Sequence, residues 1–83
     1  MDWSGVLRDA GRQNRRVRIR FSYPGASEGN VEYEREMEPY KIEDGQLVAY
    51  SYYRGAFRTV AMDRIIDVQL RPESFEPRRT VEL

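Results

Sequence analysis

The chain has 83 residues, room for one domain, with zero formal net charge at pH 7 and neither cysteine nor histidine. Those absences exclude disulfides, thiolate metal sites and thiol nucleophiles, and remove the commonest general base and metal ligand. A chain this short buries only about 60–65% of the surface its unfolded form exposes, so its core is modest and leaves room for support from a partner subunit or neighbouring domain.

Residues 4–14 read as one short helix. Asp2 or Ser4 can cap its start, and Val6, Leu7 and Ala10 form an apolar stripe that Trp3 can staple. Gly11 and Asn14 weaken its end. The first strand follows, with Val17, Ile19, Phe21 and Tyr23 alternating with Arg16, Arg18, Arg20 and Ser22. Pro24 to Asn30 is a polar loop. The second strand places Val31, Tyr33, Met37 and Pro39 on one face and Glu32, Glu34, Glu36 and Glu38 on the other. Glu43-Asp44-Gly45 is a turn. A third strand runs from Gln46 to about Tyr53, Arg54-Gly55 turns it, and a fourth spans 56–62. Met62-Asp63-Arg64 reads as a tight turn. The fifth strand directs Ile66, Val68 and Leu70 inward and Asp67, Gln69 and Arg71 outward, and Pro72 ends it. Residues 73–83 form an extended tail, with Phe75, Val81 and Leu83 expected to dock on the barrel or on a partner.

The expected fold is therefore mainly β: a small five-stranded SH3- or Sm-like barrel with one N-terminal helix, its core at about 4–72. The OB-fold is the nearest alternative. No apolar run approaches 18 residues and no signal-peptide pattern opens the chain, so a cytoplasmic protein without membrane contact is expected.

Charge is unevenly placed. Residues 1–20 carry a net +4 and residues 28–44 a net −5. If the first two strands pair antiparallel, the arginine row lies beside the glutamate row on the solvent face, each cross-strand pair contributing roughly 0.2–1 kcal/mol. The N-terminal arginines are then matched by glutamates and do not form a free nucleic-acid patch. Arg35 breaks the pattern, falling in phase with Val31, Tyr33 and Met37. A charge on the inward phase needs a ligand, an ion-pair partner or a bulge that turns it out. Arg58 breaks it likewise, sharing a strand face with Val60 and Met62. Tyr50, Tyr52, Tyr53 and Phe57 gather around the same hairpin. Arginine supplies fixed charge for phosphate, and tyrosine a surface on which bases stack. Tyr52 and Tyr53 also fit ordinary packing and turn cover, and Arg64 fits either a ligand contact or a bridge from its turn to another strand.

From about Leu7 to Phe75 the chain resembles the WYL domain of bacterial regulators. The resemblance rests on Leu7-Arg-Asp-Ala10 before the basic strand, on Arg35-Glu-Met-Glu-Pro39-Tyr40, and on Leu47-Val-Ala-Tyr50 followed by Arg54-Gly55, Arg58 and Asp63-Arg64-Ile65. The tryptophan–tyrosine–leucine triplet that names the family would fall on Gly45, Gln46 and Leu47, and only the leucine is present. Roles resting on those two aromatics are not carried over. The resemblance implies an Sm-like barrel acting as a ligand-sensing module of transcription regulation. In related proteins it follows a helix-turn-helix domain or is attached to a helicase or nuclease. Its expected ligand is single-stranded DNA or RNA, or a nucleotide-like anion. By motif the binding positions are Arg35, Tyr50, Arg58 and Arg64, with Ser51 beside them.

Nothing in the residues favours an enzyme. Ser22, Ser27 and Ser51 have no histidine base, and the glutamate row has strand spacing with arginine partners. The loop Gly25–Gly29 has neither phosphate-loop spacing nor its lysine. No cofactor or metal is expected. The competing expectation is an oligomerisation or protein-interaction module, such as a homodimer, that pairs through strand edges or docks its tail.

Overall fold

The computed structural model describes residues 2–25, 27 and 29–83. Ala26 and Glu28 of the expected polar loop lie outside the described residues. Helix α1 (Ser4–Arg12) precedes β1 (Arg15–Pro24), β2 (Asn30–Glu43), β3 (Gln46–Ser51), β4 (Ala56–Ala61), a 3-10 turn (Met62–Arg64) and β5 (Ile65–Ser74). The strands form one antiparallel sheet of five in the order β4-β3-β2-β1-β5. The mainly β domain with one N-terminal helix is thus as expected, but barrel closure is not seen. Strands β4 and β5 are the two edges of an open sheet, with no ladder between them among the described residues. The 3-10 turn carries the chain from one edge to the other, where β5 pairs along β1.

Local chemistry explains the boundaries. Trp3 holds the N-cap position without a side-chain cap, and Asp2 just ahead of it accepts a hydrogen bond from the Ser4 amide at 2.9 Å, satisfying one free N–H of the first turn. Asn14 takes a left-handed backbone (φ 51°) that ends the helix and redirects the chain into β1. Asp44 and Gly45 both have positive φ (53° and 73°), as a two-residue hairpin turn of the I′ type requires. Strand β5 continues past Pro72 to Ser74, beyond its expected end. The β1–β5 register shifts between Arg15 and Val17, which face Ser74 and Leu70. Pro72 falls in that irregular stretch of an edge strand, where its missing N–H breaks no regular ladder.

The inner face buries Val17, Ile19, Phe21, Met37, Leu47, Ala49 and Val60, and helix α1 closes one end with Leu7 and Ala10. Strand β2 serves two partners: its first part pairs with β1 and its last part with β3, the two meeting at Met37. Between Pro39 and Lys41 the β2–β3 register shifts, leaving Tyr40 as the extra residue of a bulge. The bulge inverts the inward phase, so that Met37 faces in before it and Ile42, opposite Leu47, after it.

On the outer face the charge rows align as the alternation implies. Arg18 lies opposite Glu36 and Arg20 opposite Glu34. Arg18 reaches Glu36 at 3.3 Å and Glu34 at 3.8 Å, and Arg20 reaches Glu32 at 4.0 Å. Glu38 departs from its row. Expected on the solvent face, it is 2% exposed, because the tail crosses that face. The Glu82 amide donates to the Tyr40 carbonyl at 2.7 Å, Phe75 is buried, and the Leu83 side chain occupies the space beside Gly11.

Helix α1 is nine residues long, too short to persist without its contacts to the sheet. Leu7→Ala is expected to lower the unfolding free energy by about 2–5 kcal/mol, measured by urea denaturation, because Leu7 is wholly buried between helix and sheet.

Candidate ligand-binding site

The inner face is not apolar throughout. Away from α1 it opens into a cavity of about 150 Å³ between the far end of the β1–β2 hairpin and the β3–β4 turn. Phe21, Tyr23 and Tyr33 line one side, and Tyr53, Arg54 and Arg58 the other, with Arg35 between them. Register explains how the two off-phase arginines meet. Arg35 sits opposite Ile19, and Arg58 opposite Ala49, so both project from the inner face where core residues would otherwise stand.

Each guanidinium rests on rings instead of on acids. Arg35 stacks 3.9 Å from the Tyr53 centroid and 5.4 Å from that of Tyr33, and Arg58 lies 5.3 Å from that of Phe21. Phe21 and Tyr33 stack on each other at 5.5 Å. Among the described residues, ion pairs fall on Arg18, Arg20, Lys41, Arg71 and Arg78, and none on Arg35, Arg54, Arg58 or Arg64. Burial, reinforced by the nearby charges of Arg54 and Arg35, pulls the Arg58 guanidinium below its ordinary value. An anion entering the cavity would relieve that strain on the cation.

The structure brings Arg35 and Arg58 into one cavity and distributes the other sequence candidates elsewhere. Arg64 lies outside the lining but close by, 5.9 Å from the Tyr23 ring, which the lining includes. Ser51 is buried, and its hydroxyl accepts a hydrogen bond from the Arg54 amide at 3.3 Å, which holds the β3–β4 turn. Tyr50 faces the other side of the sheet, beside Glu38 and Phe57 in register, and packs on Tyr52 and Phe57. The strand alternation that marks Arg58 as inward also marks Tyr50 as outward. Tyr53, weighed between base stacking and turn cover, lines the cavity, and Tyr33 joins it without having been singled out for binding; the signal for Tyr33 was its inward phase beside Arg35.

The outer face carries a second polar cluster. The buried Glu38 carboxylate accepts from the Tyr40 hydroxyl at 2.6 Å, the Tyr52 hydroxyl at 2.5 Å and Arg78 Nε at 3.1 Å. Burial, with the hydrogen bonds to Glu38, pushes the Tyr40 hydroxyl up to about 12 and raises Tyr52 as well.

The family model of the WYL domain matches residues 3–70. The chain belongs to the WYL domain family. Membership points to a regulatory, ligand-sensing role. A comparison with curated proteins finds no match. In this WYL domain the first position of the naming triplet falls on Gly45, whose φ of 73° is a conformation that a tryptophan adopts only under strain. The short β2–β3 turn therefore accounts for the glycine. Among the described residues no helix is long and apolar enough to cross a membrane, and no group of acids could bind a metal ion.

The tyrosine cluster has a pH signature. In the unfolded chain Tyr40 and Tyr52 ionise near pH 10, whereas in the folded domain both stay protonated to higher pH. The stability they confer is complete below pH 10 and is lost as pH rises towards about 12. Unfolding free energies measured by urea titration at pH 9, 10 and 11 are expected to fall, with a shallower slope in Tyr52→Phe than in the parent.

Proposed function

We propose that this WYL domain senses its ligand through the inner cavity, and that the ligand is single-stranded nucleic acid or a nucleotide-like anion. One observation carries the reading: Arg35 and Arg58, with no acidic partner among the described residues, converge on one aromatic-lined cavity. A phosphate between the two guanidinium groups would supply the missing counter-charge. Tyr33, Tyr53 and Tyr23 offer flat surfaces for a base, each stack worth about 1–3 kcal/mol. At about 150 Å³ the cavity suits one base or one phosphate group at a time, so a longer strand would lie across its mouth. Arg54 and Arg64 stand where neighbouring phosphates would pass. The role is binding in place of catalysis, performed without metal or cofactor.

The alternative of an oligomerisation module drew on the strand edges, here β4 and β5, and on the apolar residues of the tail. In the free chain Phe75 and Leu83 pack against this chain's own sheet and helix.

The test is fluorescence anisotropy with a short labelled single-stranded oligonucleotide at several salt concentrations. Arg35→Ala/Arg58→Ala is expected to weaken binding at least about ten-fold and to flatten the salt dependence by roughly one phosphate contact per arginine. Unchanged affinity in that double variant would sink the assignment.

A further inference from the structure

The outer face holds chemistry that the inner cavity does not use. Glu38 is a buried carboxylate on the convex side of the sheet, and its charge is met by two tyrosine hydroxyls and by Arg78. Around it stand Tyr50 and Phe57, opposite each other in register. Arg78 lies 3.7 Å above the Tyr50 ring centroid, and Arg79 lies 3.8 Å above that of Phe57. The Arg78 backbone amide also donates to the Tyr40 hydroxyl at 2.8 Å. The seat thus reads an arginine in three ways: by charge at Nε, by its flat face, and by the main chain that carries it. The next arginine has a ring of its own.

The segment in this seat is bound as a peptide ligand is bound. It is extended, and it pairs with β2 only through the Lys41–Glu82 bridge and the Glu82 amide. Its other holds are the Phe75 amide on the Asn14 carbonyl at 2.8 Å, the Phe75 ring on Tyr40, the arginine pair on the rings, and Leu83 against the bare Cα of Gly11. All these contacts join residues 75–83 to a surface made by earlier parts of the chain. They would form unchanged if the segment came from another molecule.

We propose that the outer face is a peptide groove that reads the phenylalanine–x–x–arginine–arginine segment Phe75–Arg79, holding it in cis in the free chain and accepting it from a second copy of the chain. Glu38 is its anchor, and Tyr50 and Phe57 are the platforms for the two guanidinium groups. The junction after Ser74, where β5 ends, is the point from which the tail would cross to a partner. The proposal is independent of what the inner cavity binds.

The probe is a fluorescein-labelled peptide of residues 75–83, titrated by anisotropy into the full chain carrying Arg78→Ala/Arg79→Ala, whose own arginines no longer fill the seats. Saturable binding is expected. The unaltered chain should bind the probe at least about ten-fold more weakly, because its own tail competes at high effective concentration. A probe carrying the same two alanines should bind about ten-fold or more weakly to the variant, as should the normal probe once Tyr50→Leu is added. If the double variant loses cooperative melting, Arg78→Lys replaces it, vacating the stacked seat while keeping the charge. Absence of saturable binding, or equal binding of the probe with and without arginines, would overturn the proposal.

Discussion

The shape of the domain follows from one strand. Fourteen residues of β2 pair with β1 at one end and with β3 at the other, so the sheet must bend where the two ladders meet. The Tyr40 bulge adds a residue on one side of that bend and inverts the inward phase beyond it. Bending gives the sheet a concave and a convex side. The concave side is too deep to be filled by the helix alone, and the portion left open is the arginine cavity. The convex side would expose Glu38 beside four aromatic rings, and the tail covers it.

The two sides use the same residue types in opposite ways. On the convex side arginine meets a carboxylate and is satisfied, as at Arg78 and Glu38. On the concave side arginine meets rings and no carboxylate, as at Arg58 and at Arg35, which also donates to the Glu34 carbonyl at 2.9 Å. A paired buried charge is a structural element, because removing either partner strands the other. A guanidinium resting on aromatic faces keeps its N–H donors available at its edges, so it remains competent to bind an anion. Thirteen of the fourteen basic residues are arginines, and this double use of the flat cation is one physical reason for the excess.

Much of this was legible in the sequence because period-two alternation survives in short strands. The β1–β2 pairing, the matched charge rows, the Asp44-Gly45 turn and the inward phase of Arg35 and Arg58 all follow from it. What was hidden depended on non-local contacts. Glu38 reads as one more exposed glutamate until a tail some forty residues later lies over it. The bulge at Tyr40 leaves no local mark, because tyrosine fits either side of a strand. The separation of Tyr50 from the arginine cavity was available from alternation, but the family motif grouped residues by order along the chain, and consecutive strand residues face opposite ways. Closure of the sheet depends on how its two edges approach each other, which no local pattern encodes.

The absence of histidine and cysteine acquires a second meaning once the cavity is described. Its walls are arginines and aromatic rings, and arginine keeps its charge throughout the physiological pH range. No imidazole lines it, and nothing there is a thiol open to oxidation. On the proposed reading, occupancy of the cavity would follow the concentration of its ligand, with no imidazole or thiol in the wall to add a proton or redox switch of its own.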